Sequence, residues 1–170
     1  MSKWILYTDG AAAGVCGGWG FDATCGSESH RKFGPLEDAT CNIAEYEGLK
    51  RGLEFCSLKT DKVQVYVDSR LIQLQTLGVW KTRKAHLIPY RDECRKLLKK
   101  FSWARIDWVP SAENVADEAS KLGLKDALDR AAKEGRFVWT EKRLEREVTK
   151  VLGIYAKPSQ IRAFLRSLSI

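Results

Sequence analysis

Lys3-Trp4-Ile5-Leu6-Tyr7-Thr8-Asp9-Gly10 is the stretch on which the fold turns. A run of large apolar residues stopping at Asp-Gly reads as a buried strand that ends in a turn. It also leaves a carboxylate, Asp9, at the strand's end. Outward from it, Gly14, Gly17, Gly18 and Gly20 punctuate a hairpin. Trp19 to Thr24 and Ser29 to Phe33 then read as strands on either side of Cys25-Gly26-Ser27, with Gly34-Pro35 closing the meander. Three antiparallel strands are expected before any helix.

At Asn42 the period becomes helical. Tyr46, Leu49, Leu53 and Cys56 gather on one face of a helix running to Cys56, with Glu47, Lys50, Arg51 and Glu54 on the other. Asp61 to Asp68 alternates again, Val63, Val65 and Val67 sharing one side of a strand. A short helix over Ser69–Leu77, a longer one over Leu87–Phe101 and a strand over Arg105–Val109, stopped by Pro110, follow. A last helix is expected from a capping Asn114 to Leu122, ended by Gly123. Strands first, then alternating helices and strands, describe a mixed α/β sheet covered by helices.

Four acids sit where such a sheet would bring distant segments together. Asp9 and Asp68 each end a strand, and if those strands are parallel neighbours their carboxylates lie side by side. Glu45 shares a helix face with Leu49 and is expected to look inward, whereas Glu47 is expected on the charged side. Asp117 falls in the first turn of the last helix. Singly, each acid has an ordinary reading: Asp-Gly is a turn pair, Asp68-Ser69 begins a helix, and Asp117 complements a helix dipole. Together around one cleft they repel, and a cation is the usual remedy. Hard oxygen ligands without cysteine or histidine favour magnesium or manganese over zinc, and two such ions support in-line phosphodiester hydrolysis.

Composition sets outer bounds. The 170 residues fit one domain of ordinary size, with or without a small appendage, and the 44% hydrophobic content suits a soluble globular protein. No apolar run is long enough to cross a bilayer, and Met1-Ser2-Lys3-Trp4 lacks the apolar stretch of a signal peptide, so a cytoplasmic setting is expected. The five cysteines, Cys16, Cys25, Cys41, Cys56 and Cys94, are scattered and read as reduced thiols. A net charge of +7 favours a polyanionic partner. Residues 125–170 carry 11 basic and 6 acidic residues against 18 and 16 in residues 1–124, so most of the excess lies in the tail.

Tyr7-Thr8-Asp9-Gly10, Thr40-Cys41-Asn42-Ile43-Ala44-Glu45-Tyr46, Val67-Asp68-Ser69, Trp80-Lys81 and Trp108-Val109-Pro110 followed by Asn114-Val115-Ala116-Asp117 resemble, in order and spacing, ribonuclease HI of the compact branch that lacks a basic protrusion. The resemblance covers Lys3 to Gly123. It implies a five-stranded mixed sheet and hydrolysis of the RNA strand of RNA–DNA hybrids with two metal ions, leaving 3′-hydroxyl and 5′-phosphate ends. It also implies that Asp9, Glu45, Asp68 and Asp117 hold Mg²⁺ or Mn²⁺. By the same resemblance Gly10 and Asn42 would contact the RNA, Thr40 a DNA phosphate, and Ser69, Trp80 and Lys81 the hybrid. Lys81, Arg83 and Lys84 beside Trp80 suit a phosphate backbone on chemical grounds too, although a solvated loop around a core tryptophan is the plain alternative. Arg91, Arg95, Lys96, Lys99 and Lys100 read as the solvated face of a helix.

Four places depart from the family pattern. Cys41 stands where a first asparagine is usual, Val15-Cys16 where Asn-Pro is frequent, Asp38 where an arginine two residues before the threonine is common, and Ser111-Ala112-Glu113 offers no basic group before Asp117. His30 and His86 lie elsewhere and read as surface residues. Two other functions follow from the same features: a DNA nuclease or resolvase with the same metal site, and a non-catalytic nucleic-acid-binding module. The chain divides on this reading into a catalytic domain, 1–124, and a basic helical extension, 125–170. Helical patterns over Glu141–Leu152 and Ser159–Leu168 and a short strand over Arg136–Trp139 are expected in the extension, which the resemblance does not reach.

Overall fold

A computed structural model of the chain describes residues 2–136, and Ala163 by itself. The patterns expected beyond Arg136 lie outside the described residues. Strands β1 (Trp4–Ala13), β2 (Cys16–Cys25) and β3 (Glu28–Glu37) form the antiparallel meander. Each is longer than the sequence pattern suggested. β1 continues through Asp9-Gly10, and β3 through Gly34-Pro35, because pairing with β2 continues past both sites. Helix α1 (Cys41–Ser57) leads to β4 (Lys62–Val67), α2 (Arg70–Thr76), a 3₁₀ turn at Ala85–Leu87, α3 (Ile88–Leu98) and β5 (Trp103–Trp108). A second 3₁₀ turn, Ser111–Glu113, precedes α4 (Asp117–Lys133).

The five strands lie in the order β3-β2-β1-β4-β5, with β4 parallel to both β1 and β5. This is the expected mixed sheet. Val63, Val65 and Val67 are buried in one core with Leu6, Phe21, Tyr46, Leu49, Leu53 and Cys56, closed by Leu87, Cys94 and Leu97 from the α3 side. A smaller core joins Ala13 and Cys16 to Leu124, Ala127, Leu128 and Ala131 of α4. At about 25 cal/mol per Å² of apolar surface, burial of such residues is the main force holding helices to the sheet.

Gly123 does not end the last helix. A Cβ there would lie 2.4 Å from the Gly34 carbonyl oxygen, so the glycine serves close approach of α4 to the sheet, and the helix runs on to Lys133, across the 124/125 division. Asn114 does not cap it either. Its amide nitrogen donates to the Thr8 carbonyl at 3.0 Å and its oxygen accepts from the Ala116 amide at 3.2 Å, which fastens the loop before α4 to β1. Among the described residues no helix is long and apolar enough to cross a membrane, and all five cysteines are free thiols.

Candidate active site

The parallel pairing of β1 with β4 aligns Thr8 with Val67, which sets the next residue of each chain, Asp9 and Asp68, at the same edge. Glu45 reaches them from the first turns of α1. Its helix approaches β1 closely because position 10 is glycine: a Cβ on Gly10 would fall 2.1 Å from the Glu45 amide nitrogen. Asp9, Glu45 and Asp68 each offer an oxygen atom, all within 4.8 Å of one another. The Trp108 indole donates to the Asp68 carbonyl at 2.9 Å, and the Arg70 guanidinium lies 4.2 Å from the same ring, so the end of β4 is braced from β5 and α2.

Burial shapes the electrostatics. Asp9 is buried, and loss of water raises its carboxyl from the ordinary 3.8 to about 7. The Ser120 hydroxyl and Gly10 amide oppose that shift, and the charges of Asp68 and Asp117 add to it. Glu45 is raised well above its ordinary value, again by burial first, then by Asp9, Asp68 and Cys41. Its Oε2 is shut off from solvent and has no hydrogen-bond partner. A buried carboxylate oxygen without a donor is costly unless something positive completes it. Three hard oxygens with one orphan fit a divalent cation.

Asp117 stands slightly apart. It influences Asp9 through its charge, but its Oδ2 is 2.7 Å from the Lys121 ammonium one turn along α4, and it is not one of the three acids whose oxygens cluster. The first turn of α4 is fixed by Arg31 of β3. Its guanidinium grips both oxygens of Asp22 at 2.9 and 3.2 Å, donates to Glu118 at 2.6 Å and reaches the Val115 carbonyl at 3.3 Å. Neither Arg31 nor Ser120 stood out in the sequence. The one trace of Ser120 was its spacing, three residues after Asp117.

The other expected contact residues fall in two places. Thr40 caps α1, its hydroxyl accepting from the Ile43 amide, and Ser69 caps α2 in the same way at Ile72. Asn42, Trp80 and Lys81 line a cavity of about 530 Å³ with Leu71, Gln75 and Arg83 among its other walls. Arg95, expected in solvent, instead donates to the Gln75 and Thr76 carbonyls at 2.7 and 3.1 Å, and Gln75 in turn holds the Tyr46 hydroxyl and donates to the Lys81 carbonyl. The basic loop is therefore tied to the core by side chains of α1, α2 and α3. His30 stacks on Trp4 and meets Glu28, while His86 is exposed, so neither joins the acids.

A family model described as reverse transcriptase-like matches residues 9–123, the span that holds all four acids. Ribonuclease HI of Halobacterium salinarum is 33% identical over 127 residues, which are 71% of this chain and 64% of that one. Its ribonuclease H1 crystal structure superposes with a TM-score of 0.69 at 30% identity, covering 74% of this chain and 99% of that chain. This chain belongs to the ribonuclease H family. A bifunctional protein of Mycobacterium tuberculosis is 31% identical over 136 residues, 76% of this chain. The structure of its N-terminal ribonuclease H domain has a TM-score of 0.73 at 28% identity, over 77% of this chain and 99% of that domain. LC11 ribonuclease H1, solved in complex with an RNA/DNA hybrid, has a TM-score of 0.67 at 29% identity over 74% and 99%. The chain spans 36% of the length of the mycobacterial protein. In this ribonuclease H fold the parallel pairing of β1 with β4 carries the acidic cluster.

Proposed function

We propose that the chain is an endoribonuclease that hydrolyses the RNA strand of RNA–DNA hybrids, with Asp9, Glu45, Asp68 and Asp117 holding Mg²⁺ or Mn²⁺, two ions per site when substrate is bound. The observation that carries this reading is the close meeting of the Asp9, Glu45 and Asp68 oxygens, one of them an orphan, at one edge of a ribonuclease H sheet. Bound there, the ions would supply Lewis acidity for an attacking water and offset charge on the phosphate and on the leaving oxygen. The chain's own residues do the rest. Asp9 and Asp68 are held by the strand register, Glu45 by the Gly10 approach, and Asp117 by α4.

Substrate is read in two parts. Gly10 and Asn42 face the RNA strand and Thr40 and Ser69 the backbone, while Trp80 packs on sugars and Lys81 pairs with a phosphate. The exposure of Trp80 beside the cations Lys81, Arg83 and Lys84 supports this reading, because an apolar ring in water next to positive charge is suited to a nucleic-acid backbone. Free thiols accord with a reducing compartment such as the cytoplasm. The test is a panel of labelled RNA–DNA hybrid, double-stranded RNA and double-stranded DNA, each with Mg²⁺ or Mn²⁺ and with chelator. Metal-dependent cleavage confined to the RNA strand of the hybrid is expected. Cleavage of DNA alone would assign the site to a DNA nuclease, and hybrid binding without turnover to a non-catalytic module.

A further inference from the structure

Ser120 has no solvent exposure, and its hydroxyl meets two acceptors at once: Oδ2 of Asp9 and the Asp117 carbonyl oxygen at 2.9 Å. Among the described residues no other side chain donates to Asp9. A hydroxyl has a single hydrogen. A buried helical serine often gives it to the carbonyl one turn back, but an ionised Asp9 oxygen at that contact would then face a lone pair. When Asp9 is charged, the hydrogen belongs to Asp9. The serine thus links β1, which carries Asp9, to the turn of α4 that carries Asp117, the acid the cluster does not include.

We infer that Ser120 is a positioning residue: its hydroxyl fixes the rotation of the Asp9 carboxylate and ties it to the Asp117 turn, so that both acids meet a divalent cation in one arrangement. This rests on the metal-site reading proposed above. Partners of metal ligands are worth about 10- to 100-fold in metal affinity, and a single donor to one ligand belongs near the lower figure.

The test titrates Mn²⁺ into the full chain by calorimetry, without nucleic acid, comparing wild type, Ser120→Ala and Ser120→Thr. Circular dichroism of each metal-free variant checks the fold. Alanine is expected to weaken Mn²⁺ binding about 10-fold, and threonine, which keeps the hydroxyl, to restore it to within about twofold. Should alanine fail to fold, Ser120→Cys replaces it, since a thiol of similar size is a weak donor and is expected to lose affinity in the same way. Equal affinity in wild type and the hydroxyl-free variant would overturn the inference, as would an equal loss with threonine, which would assign Ser120 to packing. Absence of Mn²⁺ binding by wild type would instead remove the metal-site reading on which it stands.

Discussion

Glu45 and Glu47 are two residues apart on α1, and both carboxylates are largely withdrawn from water, yet they have opposite surroundings. Glu47, 6% exposed, has one oxygen 2.9 Å from the Arg51 guanidinium and the other 3.8 Å from the Lys50 ammonium, which also pairs with Glu93 of α3 at 3.0 Å. Glu45 faces Asp9 and Asp68, and its Oε2 has no partner. Burial does not separate the two. Compensation does: the fold neutralises one acid with its own cations and leaves the other unpaired among like charges. Unpaired buried charge weakens a fold, so its concentration at the β1–β4 edge marks a place built to be completed by something from outside.

The sharpest way to break this comparison is to neutralise each acid in turn. Glu45→Gln is expected to lower hybrid cleavage by more than about 100-fold, beyond the range for residues that merely support a metal ligand. At a pH high enough to charge Glu45, whose carboxyl burial raises well above its ordinary value, the same change is expected to raise the melting temperature of the metal-free protein, because a repelled charge is removed. Glu47→Gln is expected to do the reverse, costing about 1 kcal/mol in urea unfolding, between the values for exposed and buried pairs, with cleavage within about threefold, since 0.6 kcal/mol is about threefold. An active Glu45→Gln enzyme would end the distinction.

A second test uses pH. Burial raises the Asp9 carboxyl in the folded protein from 3.8 to about 7, so folding favours its protonated form. Its contribution to stability is fully present below pH 3.8 and is lost as pH rises to about 7. Glu45 is shifted in the same direction. Metal-free protein is therefore expected to lose this part of its stability between those limits, and a bound divalent cation to recover it by favouring the charged forms. Thermal melts with Mg²⁺ and with chelator should show a larger metal-induced rise at pH 8 than at pH 5. Asp9→Asn should shrink that difference, and a metal effect larger at pH 5 would contradict the site.

Asp9 and Asp68 were legible in the sequence because a strand end is a local feature, visible as an apolar or alternating run that stops at an acid, and only the parallel pairing had to be supplied. Glu47 was misplaced for a physical reason. Helical periodicity assumes one buried face, but α1 packs on the sheet along one side and against α3 along another, so an acid on the second side is buried with cations beside it. Asn114 and Gly123 look like helix signals by residue type, yet each serves a tertiary contact, with the Thr8 carbonyl and the Gly34 backbone respectively. Arg95 reads as solvated from its helical position, and only the folded chain brings the α2 carbonyls within its reach. Such errors share a cause: a single sequence reveals what a residue does for its own element more readily than what it does for a distant one.

Asp117 lies between the two kinds of acid and sharpens the contrast with the smallest expected effect. It belongs by charge to the unpaired group, since it adds to the upward shift of Asp9, but it carries a cation of its own in Lys121, 2.7 Å away. A half-exposed pair one helical turn apart contributes about 0.3–0.5 kcal/mol, so Lys121→Met should scarcely alter unfolding. Its effect on metal should have a definite sign. Lys121 competes with any cation for the same Asp117 oxygen, and if Asp117 holds metal as proposed, removing the ammonium frees that oxygen, so Mn²⁺ affinity should rise by about twofold, the equivalent of 0.4 kcal/mol. A fall in affinity would mean that the ammonium orients Asp117 toward the ion rather than withholding it, and Asp117 would then belong with the paired acids of the scaffold.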